Sequence, residues 1–499
     1  MSASVARCVL LVLFLVQSSI INSEAQELGN ISFPNSGSEA AQADFLTGVK
    51  ALHSFQFDEA RFAFERAQKI DPSFALAYWG QAMSDNHPLW AQQDKDAAGA
   101  ALQKLAPSYE ERLAHAPTEK EKAFVTAVEK LYFSPGEKLQ RDFAYSDHMA
   151  WMHKRWPEDD EISIFYALSL LGTVRPGDQG YRRQALAASI CQDVFARNPQ
   201  HPGAAHFIIH SFDDPDHAIL ALPAAKVYAK IAPAAAHALH MPSHIFLQLG
   251  MWQDVVKSNI EAYNAAVTIN KKFGLAEGRE DFHTLSWLAY AHLMLGQYDK
   301  ASENLALARA ALDRNPDSER VHSGYLNMRG RHVLETGEWA DVELAAPETP
   351  EGSHANWVSV VGMSAAHIGN KARAQAAIER LGMIRDRMET AGRAYDAKKT
   401  TILEKEVQAV LNLASGDRDK AVSVAREAAD MEMKEMQAPS GPPDPMKPAV
   451  ELYADILLAT DHAVEATAAY ERSLQWIPGR TPSLNGLEKS SSEAGRTSL

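Results

Sequence analysis

Cysteine is almost missing from this chain: among 499 residues there are two, Cys8 and Cys191. No cysteine-based zinc motif can be written from them. Cys8 precedes an N-terminal apolar run that reads as removable, which leaves Cys191 alone and no intramolecular disulfide, so the fold has to rest on packing. A solitary Cys in the apolar stretch Ala185 to Ala196 is expected to be a small buried hydrophobe. Positive charge is also short. Forty-nine Lys and Arg face 64 Asp and Glu, a formal charge of −15 and a pI near 5.7. A phosphate-binding surface needs concentrated Lys and Arg, so nucleic acid is not expected as the main partner. Beyond the N-terminus no apolar run is long enough to cross a bilayer, and no stable membrane span is expected. There is no Gly-rich phosphate loop, hence no expected nucleotide, no nucleophile elbow and no His-Glu-x-x-His pair.

What the N-terminus does contain is an export pattern. Arg7 supplies positive charge, Val9 to Val16 form an apolar core, and Ser23-Glu24-Ala25 resembles a small-x-small cleavage site. The expectation is a cleaved signal peptide over residues 1–25 and a secreted or periplasmic protein. Residues 26–40, polar and holding Pro34 and Gly37, are expected to be extended. Asn30-Ile31-Ser32 is a glycosylation sequon in a eukaryotic setting.

From Ala41 the apolar spacing becomes helical and stays so. In the first unit Gly48 and Ala51 are small, Phe57 sits at a turn, Ala60, Phe64 and Ala67 follow, and Pro72 ends the second helix. Later stretches repeat the pattern, as with Gly296, Tyr298 and Ala301. This resembles the tetratricopeptide repeat, in which small residues let two antiparallel helices approach and aromatic residues fill the space between them. The resemblance implies an all-α fold, an α-α superhelix or solenoid of helix pairs. It also implies a concave groove that holds peptide or protein partners. The expected organisation is helical hairpins over 41–200, histidine-rich repeats over 201–282, further repeats over 283–478, and a flexible polar tail over 479–499.

Seven of the 19 histidines fall between His201 and His244. His206 and His210 are spaced i and i+4, while His237, His240 and His244 are spaced i, i+3 and i+7, so each set shares one helical face. One turn rises about 5.4 Å, which brings i,i+4 imidazoles close enough to share an ion. His206 and His240 are 34 residues apart, the length of one tetratricopeptide unit. By the resemblance, His237, His240 and His244 take groove-facing places in their unit and His283 does so in the next. Pro242 disfavours helix at Met241 and is expected to break or kink the chain between His240 and His244.

The expected metal ligands are therefore His206, His210, His240 and His244, with His237, His283, Asp213 and Asp214 in reserve. Such a set suits Zn, Cu or Fe. With one coordination position open, a metal-bound water with Asp214 or His217 as base would make an enzyme, and the reaction stays open. The cluster also resembles exported proteins of this repeat class to which no activity attaches. The alternative is a protein-interaction scaffold without metal or catalysis. Glu406 and Glu451 are expected to be solvated carboxylates or to meet a cationic ligand, and Trp79, Trp90, Trp151 and Trp156 to be packing residues.

Overall fold

The computed structural model describes residues 27–497 apart from 177 and 179, so the expected signal peptide lies outside the described residues. Among the described residues the β structure is one short ladder, Asn86–His87 with Gln92–Gln93. The rest of the regular structure is helix, and the all-α class of stacked helix pairs holds. No described helix is long and apolar enough to cross a membrane.

Two compact units divide the chain. The first takes the residues up to Arg175, then 180–212 and Leu220–Pro242; the second takes Asp213–Ile219 and the chain from Ser243 onward, with Pro176 and Asp178. The division runs through the histidine-rich stretch instead of around it.

Helix pairs are closed by one recurrent three-residue turn. Glu39–His53 passes to Phe57–Ile70 this way, as do Pro242–Gln248 to Trp252–Phe273 and Glu280–Met294 to Tyr298–Arg314. Ala355–His367 to Lys371–Thr390, Ala394–Ala414 to Arg418–Glu435, and Ala449–Ala459 to Ala463–Trp476 repeat it. In each, the middle residue's N–H donates to the carbonyl three residues back and the next N–H to the carbonyl five back. This closes the helix end only if the middle residue is left-handed. Glycine supplies that at Gly250, Gly296, Gly369 and Gly416, and Asp461 tolerates it; in the first turn the residue is Phe55, at φ 52°.

In the first unit the small residues do what their spacing implies. A β-carbon at Gly48 or Gly80 would run into the Phe64 ring, so the helices meet there. Phe33, Trp79 and Phe124 make the aromatic centre of this core, with ring centroids 5.1 to 5.8 Å apart. Phe33 belongs to the extended segment, which it pins down. Cys191 is buried, and burial pushes its thiol far up, as expected of an inert core residue.

The second unit corrects the expectation of a flexible tail. Thr481–Thr497 is helical, and Arg480 just before it is 1 % exposed. Its guanidinium donates to Glu451 at 2.7 and 2.8 Å, to Glu335 at 2.7 Å and to the Tyr290 hydroxyl at 2.9 Å. Lys447 adds a contact of 2.7 Å to Glu451, and Ser483 donates to it at 2.5 Å. Glu451 is thus fully buried and not solvated; the cations it meets belong to its own chain. Glu406 is buried too, beside Glu432: burial, and then the charge of its neighbour, pushes Glu406 well up, and burial raises Glu432 to about 7. Of the tryptophans, Trp79 is fully buried, whereas Trp90 and Trp151 are about half exposed and so are not core residues.

Removing Arg480 strands Glu451 and Glu335 in the interior. Arg480→Ala should cost about 3–5 kcal/mol in urea unfolding. A frayed tail would show a change within about 0.5 kcal/mol.

Candidate metal centre

The short helix Pro202–Ser211 starts where the sequence marks it: Pro202 takes the first helical position and His201 caps it, its Nδ1 accepting the Ala204 N–H at 3.3 Å. His206 and His210 then fall one turn apart, with ring centroids 4.7 Å from each other. His237 comes from the helix Ala236–His240. That helix ends at His240 and a new one begins at Pro242, the break expected from the proline, although Met241 between them keeps right-handed helical angles, φ −54° and ψ −34°, against the expectation that Pro242 would push it out of the helical region.

His206, His210 and His237, all in the first unit, converge. One ring nitrogen of each lies within 4.8 Å of the other two, and His206 and His237 are buried. Tetrahedral bonds of about 2.0–2.1 Å to an ion place nitrogens roughly 3.4 Å apart, so closing on a metal needs ring rotations moving each nitrogen on the order of 1 Å. The chemistry of His206 is fixed by its other nitrogen. Nδ1 stands 2.6 Å from the His53 carbonyl oxygen, which can only accept, so Nδ1 carries a proton and in the neutral ring Nε2 carries the lone pair. This is the arrangement by which ligand histidines are oriented.

Phe55 forms the wall of the cluster. Its ring centroid is 4.5 Å from His206, 5.6 Å from His210 and 5.5 Å from His237. It is also the one bulky residue in the left-handed turn position that glycine or aspartate fills in the other helix pairs. Holding a non-glycine residue there costs of order 1–2 kcal/mol, and the strained turn lies where the imidazoles meet. Tyr228 stacks on His206 from another side, 5.2 Å away at 18°.

The remaining predicted ligands are placed elsewhere. His240 is buried in the first unit, with its ring centroid 6.1 Å from His237. His244, His283, Asp213 and Asp214 belong to the second unit. There His244 Nδ1 donates to Asp213 at 2.6 Å, and the His244 ring lies 6.4 Å from His283 and 4.4 Å from Trp287. Asp213 thus orients His244. Asp214 accepts from His217 Nδ1 at 2.8 Å and from the backbone N–H of Asp216 and His217, closing a turn. The two residues proposed as a base are paired with each other.

A second group in the first unit has the donor types of a metal site, but its proton positions fit a different role. His53, Glu161 and His201 are completely buried and lie within 4.8 Å of one another. His201 Nδ1 accepts the Ala204 N–H, so its proton sits on Nε2 and points at Glu161 Oε1, 3.2 Å away. His53 Nε2 is 2.7 Å from Glu161 Oε2. An ion on Nε2 of His201 would require the proton on Nδ1, against the helix cap. The group is therefore a carboxylate held by two imidazole donors. Burial alone would raise Glu161, yet the imidazoles of His53 and His201 hold it down to about 2; burial lowers His53. Sequence reasoning missed this trio because its members are 40 and 108 residues apart. It also missed Phe55, although aligning the turns of the helix pairs would have exposed a Phe where the others have Gly or Asp.

No protein-family model matches the sequence, and none of the curated proteins matches it. Solved structures do. The TPR domain of P58(IPK) is 14 % identical, covering 92 % of this chain and 99 % of its own, with a TM-score of 0.24. Human IFIT1 with PPP-AAAA is 12 % identical over 95 % of this chain and 94 % of its own, at 0.35. Yeast Tom70 is 11 % identical over 92 % and 90 %, at 0.33.

Glu161→Ala leaves two buried imidazole N–H groups without their acceptor and should cost about 3 kcal/mol or more in denaturant unfolding. The folded pKa of Glu161 lies below its ordinary 4.5, so its share of stability is complete above pH 4.5 and disappears as pH falls toward 2. Glu161→Gln should remove that part of the acid transition; an unchanged acid midpoint would show that the carboxylate is not held by the imidazoles.

Proposed function

We propose that this is an exported helix-repeat protein that binds one transition-metal ion through His206, His210 and His237. The observation that carries the reading is the convergence of three imidazole nitrogens in a buried, aromatic-walled site in which the His206 tautomer is preset. His240, one turn beyond His237, stands outside this group. Three neutral imidazoles suit Zn, Cu or Fe and leave a coordination position for an outside molecule, as in metal enzymes. What the chain itself supplies is the fixed Nδ1 proton of His206, a dry wall at Phe55 and Tyr228, and a rigid origin for both helices. Export rests on the N-terminal pattern of Arg7, Val9 to Val16 and Ala25.

A second reading, a docking scaffold for protein or peptide without metal, is supported by exposed Leu139, Phe143 and Trp151 on the helix Lys138–Arg155.

Elemental analysis of protein purified without a histidine tag separates the two. About one equivalent of Zn, Cu or Fe is expected, together with a lower melting temperature after chelation. Substituting His206→Ala or His237→Ala should weaken affinity by at least about 100-fold, more than removal of an orienting partner typically does. Metal-free protein that takes up none of the three ions, with melting indifferent to chelator, would leave only the scaffold.

A further inference from the structure

Within the second unit, the helices Glu280–Met294 and Glu319–Thr336 flank a cavity of about 340 Å³. That is the size of a small-molecule site, for which about 300–1,000 Å³ is usual. Arg331 lines it and is 5 % exposed. Its Nε donates to Asn327 Oδ1 at 3.0 Å and one Nη to the Pro443 carbonyl at 2.7 Å, both neutral acceptors. The other, Nη1, is buried and makes no hydrogen bond. Nearby carboxylates are committed elsewhere: Glu335 to Arg480 at 2.7 Å and Asp444 to Lys399 at 2.7 Å. Among the described residues no carboxylate forms an ion pair with Arg331. The Tyr290 ring, 5.5 Å from Arg331 Cζ, offsets part of the cost of this buried charge; a buried guanidinium without a carboxylate in contact remains an expensive arrangement, and the chain places the residue in the wall of a cavity.

The other walls limit what the anion can be. Phe282 and Trp287, 6 % and 4 % exposed, form an apolar part. Arg279 and Arg320 add positive charge at more exposed positions of the lining. A phosphate, with its three acceptor oxygens, would press desolvated oxygens against the two rings. A carboxylate places one oxygen on Arg331 and the other toward the outer arginines, leaving its carbon skeleton for the rings.

We propose that this cavity binds a small organic carboxylate bearing a flat apolar group, with Arg331 as the buried anchor, Arg320 as the outer charge and Trp287 as the stacking wall. The site is independent of the metal reading, and chelator-treated protein should bind equally well.

Calorimetric titration with benzoate, phenylacetate and indole-3-carboxylate tests it, with benzamide as the uncharged counterpart and inorganic phosphate as the apolar-free anion. At least one of the three carboxylates should bind, benzamide roughly tenfold or more weakly than benzoate, and phosphate weakly. Arg331→Gln and Arg320→Gln should each reduce carboxylate affinity. The second substitution, at an exposed position, keeps the test valid if the first fails to fold. Failure of all three carboxylates to bind, equal binding of benzamide, tighter binding of phosphate, or unchanged affinity in the folded variants would overturn the assignment.

Discussion

One hydrogen bond connects the parts of the first unit on which the metal reading depends: His206 Nδ1–H to the carbonyl of His53, 2.6 Å long and buried. Its acceptor is the last residue of the helix Glu39–His53, just before the turn that contains Phe55. The same residue's side chain is held by Glu161. A single position therefore locks the end of one helix, the tautomer of a candidate ligand and, through the chain direction it imposes, the aromatic ring that covers the imidazoles. If His53 moved, the lone pair of His206 would lose its aim and the left-handed turn its support.

Three of the buried charged groups are handled in different ways, and the contrast explains why these clusters receive different roles. Glu161 is matched by two imidazole donors and is finished as a structural group. Arg480 is matched by two carboxylates and a phenol hydroxyl, and its work is to seat the C-terminal helix. Arg331 is matched by neutral oxygens and by the face of the Tyr290 ring, 5.5 Å from its Cζ, with no carboxylate in ion-pair contact among the described residues. Taking an ion out of water costs several kcal/mol unless a counter-charge replaces the solvent, so the first two clusters are complete as they stand while the third is completed by a ligand.

Much of the fold was legible residue by residue. Gly48 is small because Phe64 lies against it, Pro242 does end one helix, and the turn glycines mark the ends of their helices. The tail was not legible. Its composition is polar and Ser-rich, and its order comes from Arg480 meeting Glu451 and Glu335, residues 29 and 145 positions away. At the candidate site the i,i+4 spacing correctly brought His206 beside His210. The choice of His237 as the third member could not be read from a spacing of three and seven, since that spacing treats His237, His240 and His244 alike and says nothing of which one packs against His206.

By itself, then, the amino-acid order determined whatever depends on neighbours within a turn or two: helix content, caps, breaks, the pairing of helices through small residues, and the i,i+4 imidazole pair. Those rest on local sterics and backbone hydrogen bonding, which act over a few residues. The tertiary structure alone decided which distant groups share a buried space: His237 with His206, Glu161 between two histidines, Arg331 in a cavity wall over the Tyr290 ring. Such pairings are governed by desolvation and close packing, which depend on the folded neighbourhood and leave no periodic mark along the chain.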